Sequence, residues 1–364
     1  MKKFLALLVA AIMVLGVCVT ASADDMRVAM ITDYGDITDQ SFNQTTYEAA
    51  KEWCEANGVD FTYYKPAGDS TAERVAMVEK ADDDGYNVVV MPGYAFGETI
   101  AEVQGEYPEI KFVALDVSAG DLGGTEPAAN VYCAVYQEEL CGFMAGYAAV
   151  KLGYKHLGFL GGMAVPAVVR YGFGFVQGAN AAAAELGIAD QVTVEYVYGN
   201  QFYGDADITA YMDNWYQTLG VEVVFACGGG IFTSAGEAAA KAGAKVIGVD
   251  VDQAGIIDGA YGEGMTVTSA MKGLAATVKT LLTGIKDGKW DAYSAKVENL
   301  GLVGVEPENN YVQIAPSTQF GEGFTAEDYA ALVAKLFNGE ITVDNGIENM
   351  PATEITVNDL GTVK

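Results

Sequence analysis

Histidine is almost absent. The 364 residues contain one, His156. A Ser–His–acid triad needs an imidazole beside its nucleophile, and a multi-histidine zinc centre needs several; a lone His opening a strand-like run supplies neither and reads as structural. Basic residues are scarce as well, with 20 Lys+Arg against 49 Asp+Glu and a formal net charge of −29. So negative a chain repels phosphate backbones and anionic headgroups, which argues against nucleic acid as a partner and against adhesion to a membrane surface. The five cysteines form no Cys-x-x-Cys pair, so neither a thiolate zinc ribbon nor a redox dithiol is expected, and Cys54, Cys133, Cys141 and Cys227 read as small buried hydrophobes. Prolines number only 8, against 44 glycines. That balance suits many tight strand–helix turns, and no Gly-X-Y period points to collagen. No metal or cofactor motif emerges: Asp82-Asp83-Asp84 lacks the alternate spacing of a calcium loop and reads as a solvated helix end. Gly228-Gly229-Gly230-Ile231-Phe232-Thr233 lacks the last Gly of a dinucleotide fingerprint and reads as a tight turn.

Apolar runs long enough to span a bilayer are also missing beyond the N-terminus. There, Met1-Lys2-Lys3 followed by an apolar run over 4–19 and by Ala21-Ser22-Ala23 has the form of a secretory signal, residues 1–23, cut before Asp24. Leu15-Gly16-Val17-Cys18 offers a second cut, before a Cys18 that would be lipidated, although Val17 departs from the small residue usual there. Either way the protein is expected to be exported, to the periplasm or cell surface, and anchored there if Cys18 carries lipid.

What remains is a long alternation of two periods. Short β-branched runs at 27–32, 60–64, 87–91, 111–117, 156–160, 192–198, 221–226 and 245–249 alternate with amphipathic stretches at 41–57, 71–84, 166–186, 207–219 and 233–242. Such alternation predicts α/β architecture with parallel sheets covered on both faces. There are two series, joined by a helical pattern over 137–152, and a further strand, helix and β-rich stretch follow residue 250. The expected division is a first lobe of 24–133 plus about 266–295 and a second of about 134–265 plus about 296–364. Two Rossmann-like lobes joined by several crossings make a hinged cleft, and ligands in such sheets gather beyond the carboxyl ends of the strands.

The first strand runs into Asp39-Gln40-Ser41-Phe42-Asn43-Gln44, a polar loop with Ser41 at the expected helix N-cap. A large aromatic in an exposed first turn is unusual; Phe42 either folds back on its own lobe or serves as a platform for a flat ligand, with Asn43 and Asp39 beside it.

That segment resembles the opening motif of the basic membrane protein family, the substrate-binding proteins of ABC transporters related to purine-nucleoside-binding lipoproteins. The resemblance continues through Tyr136-Gln137-Glu138-Glu139-Leu140, Gly142-Phe143-Met144-Ala145-Gly146, Gly161-Gly162-Met163, Gly174-Phe175-Val176-Gln177-Gly178, Gly248-Val249-Asp250-Val251-Asp252-Gln253 and Thr268-Ser269-Ala270-Met271-Lys272, in family order. It implies a type I periplasmic-binding-protein fold that closes around a nucleoside, with the base between two aromatics. Phe42 matches the first. Phe202 or Tyr203 matches the second, since the spacing around 199–205 departs from the family pattern. Asp116 matches an acid facing the cleft, and Gly230, Asp250 and Lys272 match positions that hold the ribose. A carboxylate can accept from two vicinal hydroxyls, a lysine can donate to a sugar oxygen, and a glycine admits close backbone approach.

The resemblance therefore implies a monomeric receptor that performs no covalent chemistry, needs no cofactor or metal, and passes a nucleoside, a purine by preference, to an ABC permease. Two other readings stand beside it. One is a receptor of the same fold for a sugar, a modified nucleoside or a flavin-like ring. The other is a secreted nucleoside hydrolase, against which stand the single His and the lack of an Asp-rich calcium loop or Gly-x-Ser-x-Gly elbow.

Overall fold

A computed structural model describes residues 26–363, so the expected signal segment, both candidate cleavage sites and Cys18 lie outside the described residues. The chain starts in a β-α repeat: β1 (Arg27–Ile31), α1 (Phe42–Asn57), β2 (Asp60–Tyr64), α2 (Thr71–Asp83), β3 (Val88–Pro92), α3 (Phe96–Val103), β4 (Lys111–Leu115) and β5 (Val131–Tyr136). A second repeat follows: α4 (Glu138–Lys151), β6 (His156–Gly161), α5 (Pro166–Leu186), β7 (Thr193–Tyr198), α6 (Ala206–Asn214), β8 (Val223–Cys227), α7 (Phe232–Ala242), β9 (Lys245–Asp250), α8 (Ala254–Tyr261) and β10 (Thr266–Lys272). The remainder comprises α9 (Leu274–Lys286), β11 (Lys296–Leu300), β12 (Val312–Ile314), α10 (Ala326–Phe337) and β13 (Thr356–Thr362).

Two sheets result. The first has six strands in the order β11-β5-β4-β3-β1-β2, all parallel. The second has seven, β12-β10-β9-β8-β6-β7-β13, parallel except for β12 against β10. Central strands such as β3 and β8 are buried along their whole length, as expected where helices cover both faces and no polar side is needed.

The pairing corrects the division read from the sequence. Strand 266–272, assigned above to the first lobe, extends the second sheet beside β9. Strand 296–300, assigned to the second, closes the first sheet beside β5. The chain thus crosses between lobes around Gln137, around Gly273 and in the segment between β11 and β12, so α9 and β11 return to the first lobe. A short strand such as β10 suits either sheet equally by its sequence; only its hydrogen-bonded neighbour decides.

One helix pair sets the framework of the cleft. Helices α4 and α5 pack backbone to backbone through glycines. A Cβ on Gly178 would lie 1.9 Å from the carbonyl oxygen of Phe143, and one on Gly142 would lie 2.2 Å from that of Tyr171. This close approach explains the Gly-x-x-x-Gly spacing in both helices and brings the first turns of α4 and α5 together at the cleft. All four described cysteines are buried and free. His156 takes a structural place, its Nε2 3.1 Å from Glu195 Oε1.

Candidate functional site: the cleft between the lobes

Loops at the carboxyl ends of both sheets enclose a cavity of about 670 Å³. Asp39, Phe42, Asn43, Asp116, Phe202, Tyr203, Gly230, Asp250 and Lys272 all line it, so the structure brings every site residue read from the sequence into one place.

Their local roles differ. Asp39 is a helix cap: its carboxylate accepts from the backbone N–H of Ser41 (2.9 Å), Asn43 (2.9 Å) and Gln44 (3.0 Å) and from Asn43 Nδ2 (3.1 Å). Ser41, the expected cap, makes no capping hydrogen bond. Its hydroxyl instead donates across the cleft to Asp250 Oδ2 at 2.6 Å. Phe42 is half-buried, with the Lys272 ammonium 4.8 Å from its ring centroid. On the opposite lobe Phe202 lies against Gly162 and Gly228, where any Cβ would meet its ring. Tyr203, by contrast, is 63% exposed. Phe202 stacks on Tyr34 of the first lobe, centroids 6.2 Å apart and planes inclined by 26°. Tyr34 was not singled out from the sequence, where an aromatic after a strand carries no distinguishing pattern.

Asp116 and Asp250 stand at matching places, one just past β4 and the other ending β9. Both take left-handed backbone, at φ 60° and 65°. Asp tolerates that region better than most residues, but it is sparsely populated, and such outliers concentrate at functional sites. Between them sits Lys272 Nζ, 2.5 Å from Asp116 Oδ2, 3.4 Å from Glu138 Oε1 and 3.9 Å from Asp250 Oδ1. Burial alone would pull the ammonium towards neutrality, but the three carboxylates outweigh it and raise its pKa. The lysine was expected at the cleft; its embedding among three acids and the rings of Phe42, Tyr136 and Tyr171 could not be read from spacing.

Asp116 shows the opposite balance. Burial, opposed by Lys272 and reinforced by Glu138, pushes its carboxyl up to about 6. Asp33, also a cavity residue missed in the sequence, is likewise pushed up to about 6 by burial, while the Gly35 N–H donates to its Oδ1 at 2.7 Å. Two buried acceptors in the cavity wall, Asn43 Oδ1 and Asp116 Oδ1, have no protein partner. The geometry is that of a binding site: aromatic faces from both lobes, unpaired acceptors, and an ion network. Among the described residues no group of His, Cys, Asp and Glu is arranged to hold a metal ion.

Comparison with known proteins accords with this architecture. The family model described as Bmp, ABC transporter substrate-binding protein PnrA-like, matches residues 26–317. The chain belongs to the Bmp family. It is 27% identical over 301 residues to the ABC transporter nucleoside-binding protein BmpA of Lactococcus lactis, covering 78% of this chain and 81% of that one. Solute-binding proteins of ABC transporter systems from Conexibacter woesei (22% identity, TM-score 0.67, 89% of this chain and all of that one) and Aeropyrum pernix (21%, 0.66, 85% of each) share its fold. The type I periplasmic-binding-protein architecture is thus that of Bmp-family substrate-binding proteins. The Bmp match ends before α10, so that helix and β13 lie beyond the shared core.

Proposed function

We propose that this protein is an exported receptor that captures a nucleoside, by preference a purine nucleoside, and delivers it to an ABC permease without covalent chemistry. The observation that carries the reading is the joint presence, in one cavity, of aromatic rings from both lobes and of the buried unpaired acceptors Asn43 Oδ1 and Asp116 Oδ1. Buried acceptors without partners are costly, and the N–H edge of a heterocyclic base would supply their donors while its faces stack on Phe42 and Phe202. Across the Lys272 ammonium from Asp116, Asp250 accepts from Ser41 and Tyr171, and each of its oxygens keeps lone-pair capacity for a ribose hydroxyl. Lys272 would balance that carboxylate in a cleft emptied of water. The name of the Lactococcus relative supports the same ligand class.

Calorimetric titration with inosine, guanosine, adenosine, uridine and ribose tests the reading. Purine nucleosides are expected to bind most tightly. Phe42→Ala is expected to weaken them by about 5- to 150-fold with an unchanged melting curve, since stacking a base on an aromatic contributes about 1–3 kcal/mol. Binding of ribose but of no nucleoside would overturn it in favour of a sugar receptor.

A further inference from the structure

Two cations line the cavity, Lys272 and Arg170, and they are committed to different degrees. The Lys272 ammonium is shared among Asp116, Glu138 and Asp250. Arg170, in the second turn of α5, uses only Nε, which donates to Glu138 Oε2 at 2.6 Å. Its terminal nitrogens, Nη1 and Nη2, have no protein acceptor among the described residues, and the side chain keeps 16% exposure at the cavity wall. Glu138 is fully buried and stands between the two cations, one oxygen for each. A guanidinium held at Nε by a buried carboxylate keeps its terminal donors free, and Arg170 is a lining residue of the cavity the ligand would occupy.

We propose that Arg170, positioned by Glu138, donates to the 5′ oxygen of the bound nucleoside and so sets the preference at that end of the sugar; the inference rests on the nucleoside reading above. The neighbouring Tyr171 donates to Asp250 Oδ1 at 3.3 Å, and Glu138 joins Arg170 to the Lys272 ammonium that Asp116 and Asp250 share, so Arg170 borders the acids that flank Lys272. With Asp250 accepting from the two vicinal hydroxyls and the Lys272 ammonium shared among three carboxylates, the 5′ oxygen is the sugar hydroxyl left for the free donors of Arg170. A guanidinium only donates and a hydroxyl oxygen can accept, so the two are matched. Charge decides against a phosphate there. The network holds three carboxylates against two cations, and of the other acids in the wall Asp36 and Asp69 are paired with Lys65 and Arg74 whereas Asp33, Asp39 and Asp121 make no ion pair among the described residues. A 5′-phosphate would enter a negative field, whereas a neutral hydroxyl gains the hydrogen bond without that penalty.

The test compares inosine, 5′-deoxyinosine and inosine 5′-monophosphate by calorimetry on the wild type, Arg170→Gln, Arg170→Lys and Glu138→Gln, with melting curves for each. The wild type is expected to prefer inosine to 5′-deoxyinosine by about 10- to 150-fold, the range of a hydrogen bond from a charged group, and to bind the monophosphate more weakly than inosine. In Arg170→Gln that preference should fall towards unity through a loss confined to inosine. Arg170→Lys keeps a charge for Glu138 but lacks the fork, so it should lose most of the preference even if the Gln variant fails to fold. Glu138→Gln should reduce the same ratio, a readout that general destabilisation would not move. A preference unchanged in both Arg170 variants overturns the assignment, and one unchanged in Glu138→Gln overturns the positioning role. Tight binding of inosine with no wild-type discrimination against 5′-deoxyinosine overturns the 5′ contact alone. Failure of the wild type to bind either nucleoside overturns the nucleoside reading and this contact with it.

Discussion

Glu139 shows how a single buried side chain can store a pH dependence. It is 4% exposed, its Oε2 has no protein partner, and burial, with Glu138 adding and Arg170 opposing, pushes its carboxyl from 4.5 up to about 7. The folded state therefore favours the protonated form. The stability this contributes is complete below the ordinary glutamate range and is lost as the pH rises through about 7. Glu139→Gln abolishes that titration. The variant is expected to gain on the wild type as the pH is raised from 4.5 to 8, by up to about 3 kcal/mol in unfolding free energy. Denaturant melts across that range check it; an offset that does not change with pH would show that Glu139 titrates alike in the folded and unfolded chains. This behaviour could not be read from the sequence, where Glu138-Glu139 looks like an acidic helix start of the ordinary kind. The same limit held for Asp39 and Ser41: both were legible as cap candidates, but which oxygen caps the helix and which crosses the cleft is settled by geometry alone.

Elements were more legible than their partnerships. The periods of two and 3.6 located most strands and helices to within a few residues, and α5 (Pro166–Leu186) coincides with the expected stretch. Helices α3 and α8, each 8 residues long, escaped notice because two turns carry too little periodicity. Strand β13 escaped because an exposed edge strand has no apolar run to show. The spacing Gly142-x-x-x-Gly146 and Gly174-x-x-x-Gly178 appeared only as part of a family resemblance, yet its physical cause is the contact between α4 and α5. Gly178→Ala is expected to be strongly destabilising, by about 1–3 kcal/mol or more, because the new methyl would collide with a helix backbone that cannot yield as a side chain can. Chemical denaturation measures it directly. An equally stable Gly178→Ala would mean that the two helices can separate without cost, and the placement of Glu138 against Arg170 would lose its explanation.

For the whole molecule, the decisive contacts are those that join the lobes across the cleft rather than through the connecting segments. Ser41 of the first lobe donates to Asp250 of the second, Gln253 Nε2 donates to the carbonyl oxygen of Gln40 at 3.0 Å, and Lys272 meets Asp116. The Ser41–Asp250 and Gln253–Gln40 pairs lie away from the crossing at Gly273 that adjoins Lys272, so these two depend on the lobes being together and favour a closed form over an open one. Ser41 isolates this effect, because its side chain reaches Asp250 without being among the residues that line the cavity. Ser41→Ala removes a hydrogen bond to a charged acceptor, of about 1.5–3 kcal/mol, from the closed form alone. If closure is required for tight binding, apparent affinity falls with the closed fraction, whatever the ligand. The expected outcome is therefore a common loss factor for inosine, guanosine and 5′-deoxyinosine, unlike the loss at Arg170, which spares 5′-deoxyinosine. Small-angle scattering should at the same time show a larger radius of gyration for the ligand-free variant than for the ligand-free wild type, the difference vanishing at saturating nucleoside. Unequal losses across the three ligands would assign Ser41 to ligand contact, and unchanged affinity with an unchanged radius would show that the Ser41–Asp250 bond does not govern closure.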